Sequence, residues 1–157
     1  MGSIGQYPGV FDYISNAYLQ NITLLNGQNG ARLKAWAGPN VGLGYISNIT
    51  YKDVYIANTD NPIVLDQCYF NVNETTCAKY PSHVNISDIT FENIWGTSSG
   101  LKGGVVADLK CSPGATCQGI RLSKINITSP AGTPPVVVCT NINGDIGTDC
   151  VKQAPKH

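Results

Sequence analysis

The sequence predicts an all-β chain wound as a right-handed parallel β-helix of about four coils. Three observations predict it. A phrase recurs at intervals of about 30 to 40 residues, its segments alternate apolar with polar residues, and they are rich in Ile, Val, Thr and Tyr. The phrase Ile14-Ser15-Asn16 returns as Ile46-Ser47-Asn48-Ile49-Thr50-Tyr51-Lys52-Asp53-Val54 and as Ile86-Ser87-Asp88-Ile89-Thr90-Phe91-Glu92-Asn93-Ile94. A weaker copy is Leu122-Ser123-Lys124-Ile125-Asn126-Ile127-Thr128. Between the copies lies a second recurring strand: Ala31 to Trp36, Pro62 to Asp66, Gly104 to Asp108 and Pro135 to Cys139. Helical repeats would need apolar residues at i, i+3, i+4 and i+7, which these segments lack. An antiparallel sandwich is the competing architecture, but the Asn26-Gly27 dipeptide is not flanked by a convincing hairpin pair.

Along the chain, residues 1 to 9 are rich in Gly and Pro. The stretch Gly30-Ala31-Arg32-Leu33-Lys34-Ala35-Trp36 should be a strand with Arg32, Lys34 and Trp36 on one face and Ala31, Leu33 and Ala35 on the other. The second set makes a core face. The first makes a basic platform with an aromatic edge, suited to an anionic ligand because Arg forks onto a carboxylate and Lys adds a point charge. Cys68 to Pro81 and Gly96 to Gly104 are the longest irregular stretches and are expected to protrude from the stack. Residues 151–157 should be a frayed tail. No linker divides the chain, so residues 1–157 are expected to form one domain.

Formal net charge is zero and only 13% of residues are charged, which points away from nucleic acid and from acidic membrane surfaces. No segment approaches the roughly 20 apolar residues of a membrane span, and the N-terminus has no charged-then-apolar signal segment. The six cysteines fall into short-range pairs, Cys68 with Cys77, Cys111 with Cys117 and Cys139 with Cys150, which suggest local disulfides and an oxidising compartment. No Cys-x-x-Cys occurs, and His83 and His157 sit in no ligand spacing, so neither a metal nor a cofactor is expected. Asn-x-Ser/Thr sequons at Asn21, Asn48, Asn73, Asn85 and Asn126 also indicate an extracellular, secreted parent, although Asn inside strands can instead serve a turn or a ladder.

Gly2-Ser3-Ile4-Gly5-Gln6-Tyr7-Pro8-Gly9, then Arg32-Leu33-Lys34, then Ile63-Val64-Leu65-Asp66-Gln67-Cys68-Tyr69 resemble glycoside hydrolase family 28, the polygalacturonases, with wording most like a fungal exo-acting member. The resemblance runs from residue 2 to about 150. It implies a parallel β-helix and inverting hydrolysis of α-1,4-galacturonan by an Asn-Thr-Asp motif, an Asp-Asp pair and a Gly-His-Gly. It also implies that Arg32 and Lys34 grip the uronate carboxylate and that Tyr69 lines the same cleft. The family's Gly-His-Gly precedes Gly-Ser-x-Gly, so the catalytic motifs are expected upstream of Met1, in a β-helix truncated at its N-terminal side. The chain has no Asp-Asp and no Gly-His-Gly. Asn58-Thr59-Asp60 spells the first motif, but it lies after Arg-x-Lys instead of several coils before it.

The expected function is therefore a polygalacturonase-like chain that keeps the carboxylate-binding strand, has no catalytic residue, and meets galacturonate or pectin fragments. The alternative is a binding or signalling protein on the same β-helix, read by a cell-surface receptor. Two structural expectations follow from the coil registry. Leu33 over Leu65 puts Lys34 over Asp66, to be partly neutralised by it, and leaves Arg32 over Val64 free. The first coil, with Val10, Ile14, Leu19, Ile22 and Leu24, lacks a covering coil, and residues 1 to 9 are a poor cap, so self-association through that end is expected.

Overall fold

The computed structural model describes residues 1–69, 73–114 and 117–152. Two parallel sheets stack along one axis. The first joins β1 (Phe11–Leu25), β3 (Leu43–Thr59), β5 (His83–Ser98) and β7 (Cys117–Thr128). The second joins β2 (Asn29–Trp36), β4 (Asn61–Tyr69), β6 (Val105–Lys110), β8 (Val136–Thr140) and β9 (Val151–Lys152). Every pairing is parallel, so each strand meets its counterpart one coil on, and the chain is a parallel β-helix. No hairpin forms at Asn26-Gly27, where the chain passes from one sheet to the other.

The recurring phrase sets the register. Ile14 stacks on Ile46 and Ile46 on Ile86, and the five following residues stay in step. The weak fourth copy is displaced: Leu122 lies over Phe91 rather than over the first Ile of the phrase, and Ile120 occupies the place below Ile89. The long strands also bend at regular intervals. Asn16, Asn48 and Asp88 form one column of left-handed residues (φ 54 to 56°), continued by Gly119 (φ 65°). Asn21, Asp53, Asn93 and Lys124 form a second (φ 52 to 56°), five residues further along each strand. Asn and Asp tolerate this region better than other residues bearing a Cβ, which accounts for the asparagines at these positions. The columns are hydrogen-bonded along the axis: Asn48 Nδ2 donates to Asn16 Oδ1 at 2.8 Å, and Asn93 Nδ2 donates to Asp53 Oδ1 at 2.7 Å.

Between the sheets the core is a stack of aliphatic rows. Ala31, Leu33, Ile46, Ile49, Leu65, Ile86, Ile89, Ile94 and Leu109 are fully buried, and each Leu or Ile side chain is worth about 1.5 to 3 kcal/mol on burial. Cys68–Cys77, Cys111–Cys117 and Cys139–Cys150 are all bonded, each closing a local loop. Two irregular stretches differ from expectation. Within Cys68 to Pro81 a short helix, α1 (Glu74–Lys79), is capped by Asn73, whose Oδ1 accepts from the Thr76 N–H at 2.8 Å. Gly96 to Ser98 continue β5 instead of looping out.

The two ends also differ from expectation. Val151 and Lys152 pair with Val138 and Cys139 as β9, because the Cys139–Cys150 bond holds them against β8; residues 153–157 lie outside the described residues. At the other end residues 1 to 5 fold over the edge of β2. Lys34 N–H donates to the Met1 carbonyl at 3.1 Å, Trp36 N–H donates to the Ile4 carbonyl at 3.0 Å, and Ile4 is buried in the core. The edge of β2 is thus covered, whereas β1 lies at the margin of its sheet with Val10, Phe11 and Leu25 exposed.

Candidate functional site

The site grows from the alternation in β2. Ala31, Leu33 and Ala35 point into the core with no exposure, which forces Arg32, Lys34 and Trp36 onto the outer face. The next coil brings Tyr69 opposite Trp36 and Asp66 opposite Lys34. Tyr69 is the hinge of the cluster. Its ring centroid is 4.6 Å from Lys34 Nζ, 5.3 Å from the Arg32 guanidinium carbon and 5.6 Å from the Trp36 ring, which meets it edge-on. Arg32, Lys34 and Tyr69, singled out in sequence, are brought together.

The expected Lys34–Asp66 pairing does not form, although the register that suggested it does. Asp66 Oδ2 lies 3.8 Å from Arg32 Nη2, a diagonal contact, while Lys34 turns to the Tyr69 ring. The longer, forked Arg side chain spans the diagonal between rows, and the ring face draws the ammonium away from the carboxylate. Arg32 and Asp66 side chains remain 23% and 26% exposed, so the pair is about a quarter open to solvent and worth at most about 1 kcal/mol. The Asp66 carboxyl titrates above the usual Asp range. Burial is the chief cause, opposed by the Cys68 N–H at 3.1 Å and by the positive charges of Lys110 and Arg32.

Two further charges belong to the platform and were not singled out in sequence. Asp108 lies over Val64, and Lys110 lies over Asp66. Matching the recurring strands from their first residues would have set Asp66 against Asp108. The actual register is two residues further along, which preserves the faces and replaces a like-charge contact with an opposite one. The row of charges along the axis is therefore Lys34, Asp66, Lys110, beside Arg32, Val64, Asp108. The inward pair Ala107 and Leu109 stacks on Ile63 and Leu65; the strand pattern alone allows either register, so no sequence signal singles these two charges out. Arg32, Asp66, Asp108 and Lys110 border a groove of about 240 Å³. Within it Arg32 Nε and Asp108 Oδ1 are buried without a hydrogen-bond partner among the described residues, a costly state for a charged group unless a ligand meets it. A wider concavity of about 550 Å³ lies at the C-terminal loop between Cys139 and Lys152, remote in sequence from Arg32 and Lys34.

Asn58-Thr59-Asp60 serves the corner between β3 and β4. Asn58 is left-handed (φ 50°), Thr59 is fully buried, and Asp60 Oδ1 accepts from Ser99 Oγ at 2.6 Å. His83 is exposed on the first sheet, stacked over Leu43, and His157 lies outside the described residues. Among the described residues no group of three His, Cys, Asp or Glu side chains is arranged to hold a metal ion.

Comparison with known proteins fits this arrangement. The sequence profile described as Glycosyl hydrolases family 28 matches residues 1–152. The chain belongs to glycoside hydrolase family 28. It is 69% identical over 150 residues to a protein named probable exopolygalacturonase B of Neosartorya fischeri, covering 96% of this chain and 33% of that protein. It is 66% identical over 151 residues to exopolygalacturonase B of Aspergillus niger, covering 96% of this chain and 34% of that one. The crystal structure of endo-xylogalacturonan hydrolase from Aspergillus tubingensis superimposes with a TM-score of 0.88 at 29% identity, over 99% of this chain and 41% of that chain. The chain thus spans about a third of the length of these curated relatives.

Proposed function

We propose that this chain supplies the uronate-gripping surface of a secreted pectin-degrading hydrolase, and that the 157 residues alone bind galacturonate without cleaving its polymer. The observation that carries the reading is the shared Tyr69 ring, which holds Arg32 and Lys34 side by side while Arg32 Nε has no hydrogen-bond partner among the described residues. A carboxylate placed there accepts from the guanidinium fork and lies against the ammonium. The names of the relatives support galacturonan as the polymer, and three local disulfides support an extracellular setting. Inverting hydrolysis needs a carboxylic acid and a carboxylate base on opposite sides of the bond. Asp66 and Asp108 share one face with the cations, and Asp60 is spent on a corner.

The test is reducing-end release from polygalacturonate together with calorimetric binding of galacturonate oligomers. We expect no release, measurable binding, and loss of that binding in Arg32→Ala. Release that vanishes in Asp60→Asn would overturn the assignment, and cell-surface binding indifferent to Arg32 and Lys34 would transfer the function to a receptor-read surface. Self-association belongs to the same proposal, with β1 as its contact, since Ile14, Leu19 and Ile22 are only partly buried there. Light scattering over a dilution series should show dimers that Leu19→Lys abolishes.

A further inference from the structure

The outer face of the first sheet carries two columns of aromatic rings that the platform does not use. In one, Tyr13 stacks on Tyr45 with ring centroids 5.5 Å apart and an interplanar angle of 20°, and the next residue down the column is Asn85. In the other, Tyr55 lies 6.0 Å from Trp95, and the next residue down is Asn126. Both asparagines open sequons, Asn85-Ile86-Ser87 and Asn126-Ile127-Thr128, and both are exposed in extended strand. Neither side chain is held by a hydrogen bond among the described residues, in contrast with Asn48, whose Nδ2 is committed to Asn16, and Asn73, which caps α1. Two independent columns therefore end the same way, each with a free sequon asparagine in register with an aromatic residue on the neighbouring strand, strands lying about 4.8 Å apart.

We propose that Asn85 and Asn126 carry N-linked glycans whose first sugars lie back on Tyr45 and Trp95. In the attachment, Nδ2 bonds to the anomeric carbon of an oligosaccharide borne on a lipid pyrophosphate. The bond from that carbon to the pyrophosphate oxygen breaks with its electron pair, and one amide proton passes to a base. The C–H face of a pyranose carries slight positive charge and fits the negative face of an aromatic ring, while its hydroxyls stay in water. The occupant of the aromatic columns is thus the chain's own glycan rather than substrate. The proposal needs only passage through a secretory route, which a yeast host supplies, so it stands or falls separately from the galacturonate reading.

The test is glycopeptide mass spectrometry of the full chain secreted from yeast, followed by timed amidase release of glycans from the native protein. Asn85 and Asn126 should be occupied and Asn48 bare; an empty Asn85 or Asn126 would overturn the assignment. Tyr45→Ala should speed release at Asn85 about fivefold, the scale of one aromatic contact, and leave Asn126 unchanged, with Trp95→Ala doing the converse. Unchanged rates, or acceleration at both sites by either variant, would overturn the aromatic platform.

Discussion

The two sheets are built from one repeat, yet they treat polar side chains in opposite ways. On the first, polar residues satisfy one another along the axis: Asn58 donates to Asn26 at 2.9 Å, Gln20 to Asp53 at 2.7 Å, and Lys52 lies 3.5 Å from Glu92. Hydrogen bonds from Asn93 and then Gln20 hold the Asp53 carboxyl below the usual Asp range. On the second, the outer polar rows remain under-satisfied, with Arg32 Nε, Asp108 Oδ1 and Thr140 Oγ1 all without hydrogen-bond partners among the described residues. The difference separates a surface whose polar groups satisfy one another from one that, on the proposed reading, is left to meet a ligand. It predicts that substitutions on the first sheet are read in unfolding, and on the second in binding.

The largest effect should come from crowding the first sheet. Gly96 has φ 124°, and a Cβ there would sit 1.9 Å from the Ile56 carbonyl oxygen. Gly96→Val should cost more than about 3 kcal/mol in denaturant unfolding, since strain and a backbone clash add. On the second sheet, Arg32→Ala should weaken galacturonate binding by about 1.5 to 3 kcal/mol, the worth of hydrogen bonds to a charged group, and leave the unfolding midpoint nearly unchanged. A comparable loss of stability there would erase the contrast.

Smaller changes sharpen it. Asn93→Ala removes the bond to Asp53 and places Ala at φ 52°, so it should cost about 1 to 2 kcal/mol, part of which Asn93→Gly should recover. The smallest expected effect is at Asp66. Its folded pKa is raised, so the folded state holds the proton more tightly than the unfolded one. The resulting stabilisation is full below the unfolded value near 3.9 and is lost as pH rises through the raised folded value. Asp66→Asn should therefore raise stability at pH 7 by under about 1 kcal/mol and do nothing at strongly acid pH. A variant less stable at neutral pH would show that the Arg32 contact outweighs burial.

The sequence by itself determined the repeat, the strand type and the faces of β2, because a period of two leaves Arg32, Lys34 and Trp36 no other side once Ala31, Leu33 and Ala35 enter the core. It also determined the disulfide pairs, since each closes a short loop, and the resemblance brought Tyr69 into the cluster. Tertiary structure decided what depends on distances across coils. Arg32 rather than Lys34 meets Asp66 because reach and the position of the Tyr69 ring settle the contact, and neither is written in register. Lys110 and Asp108 join the platform because Ala107 and Leu109 slide β6 two residues to fill the rows beneath Ile63 and Leu65, a choice made by core volume and invisible in a list of strands.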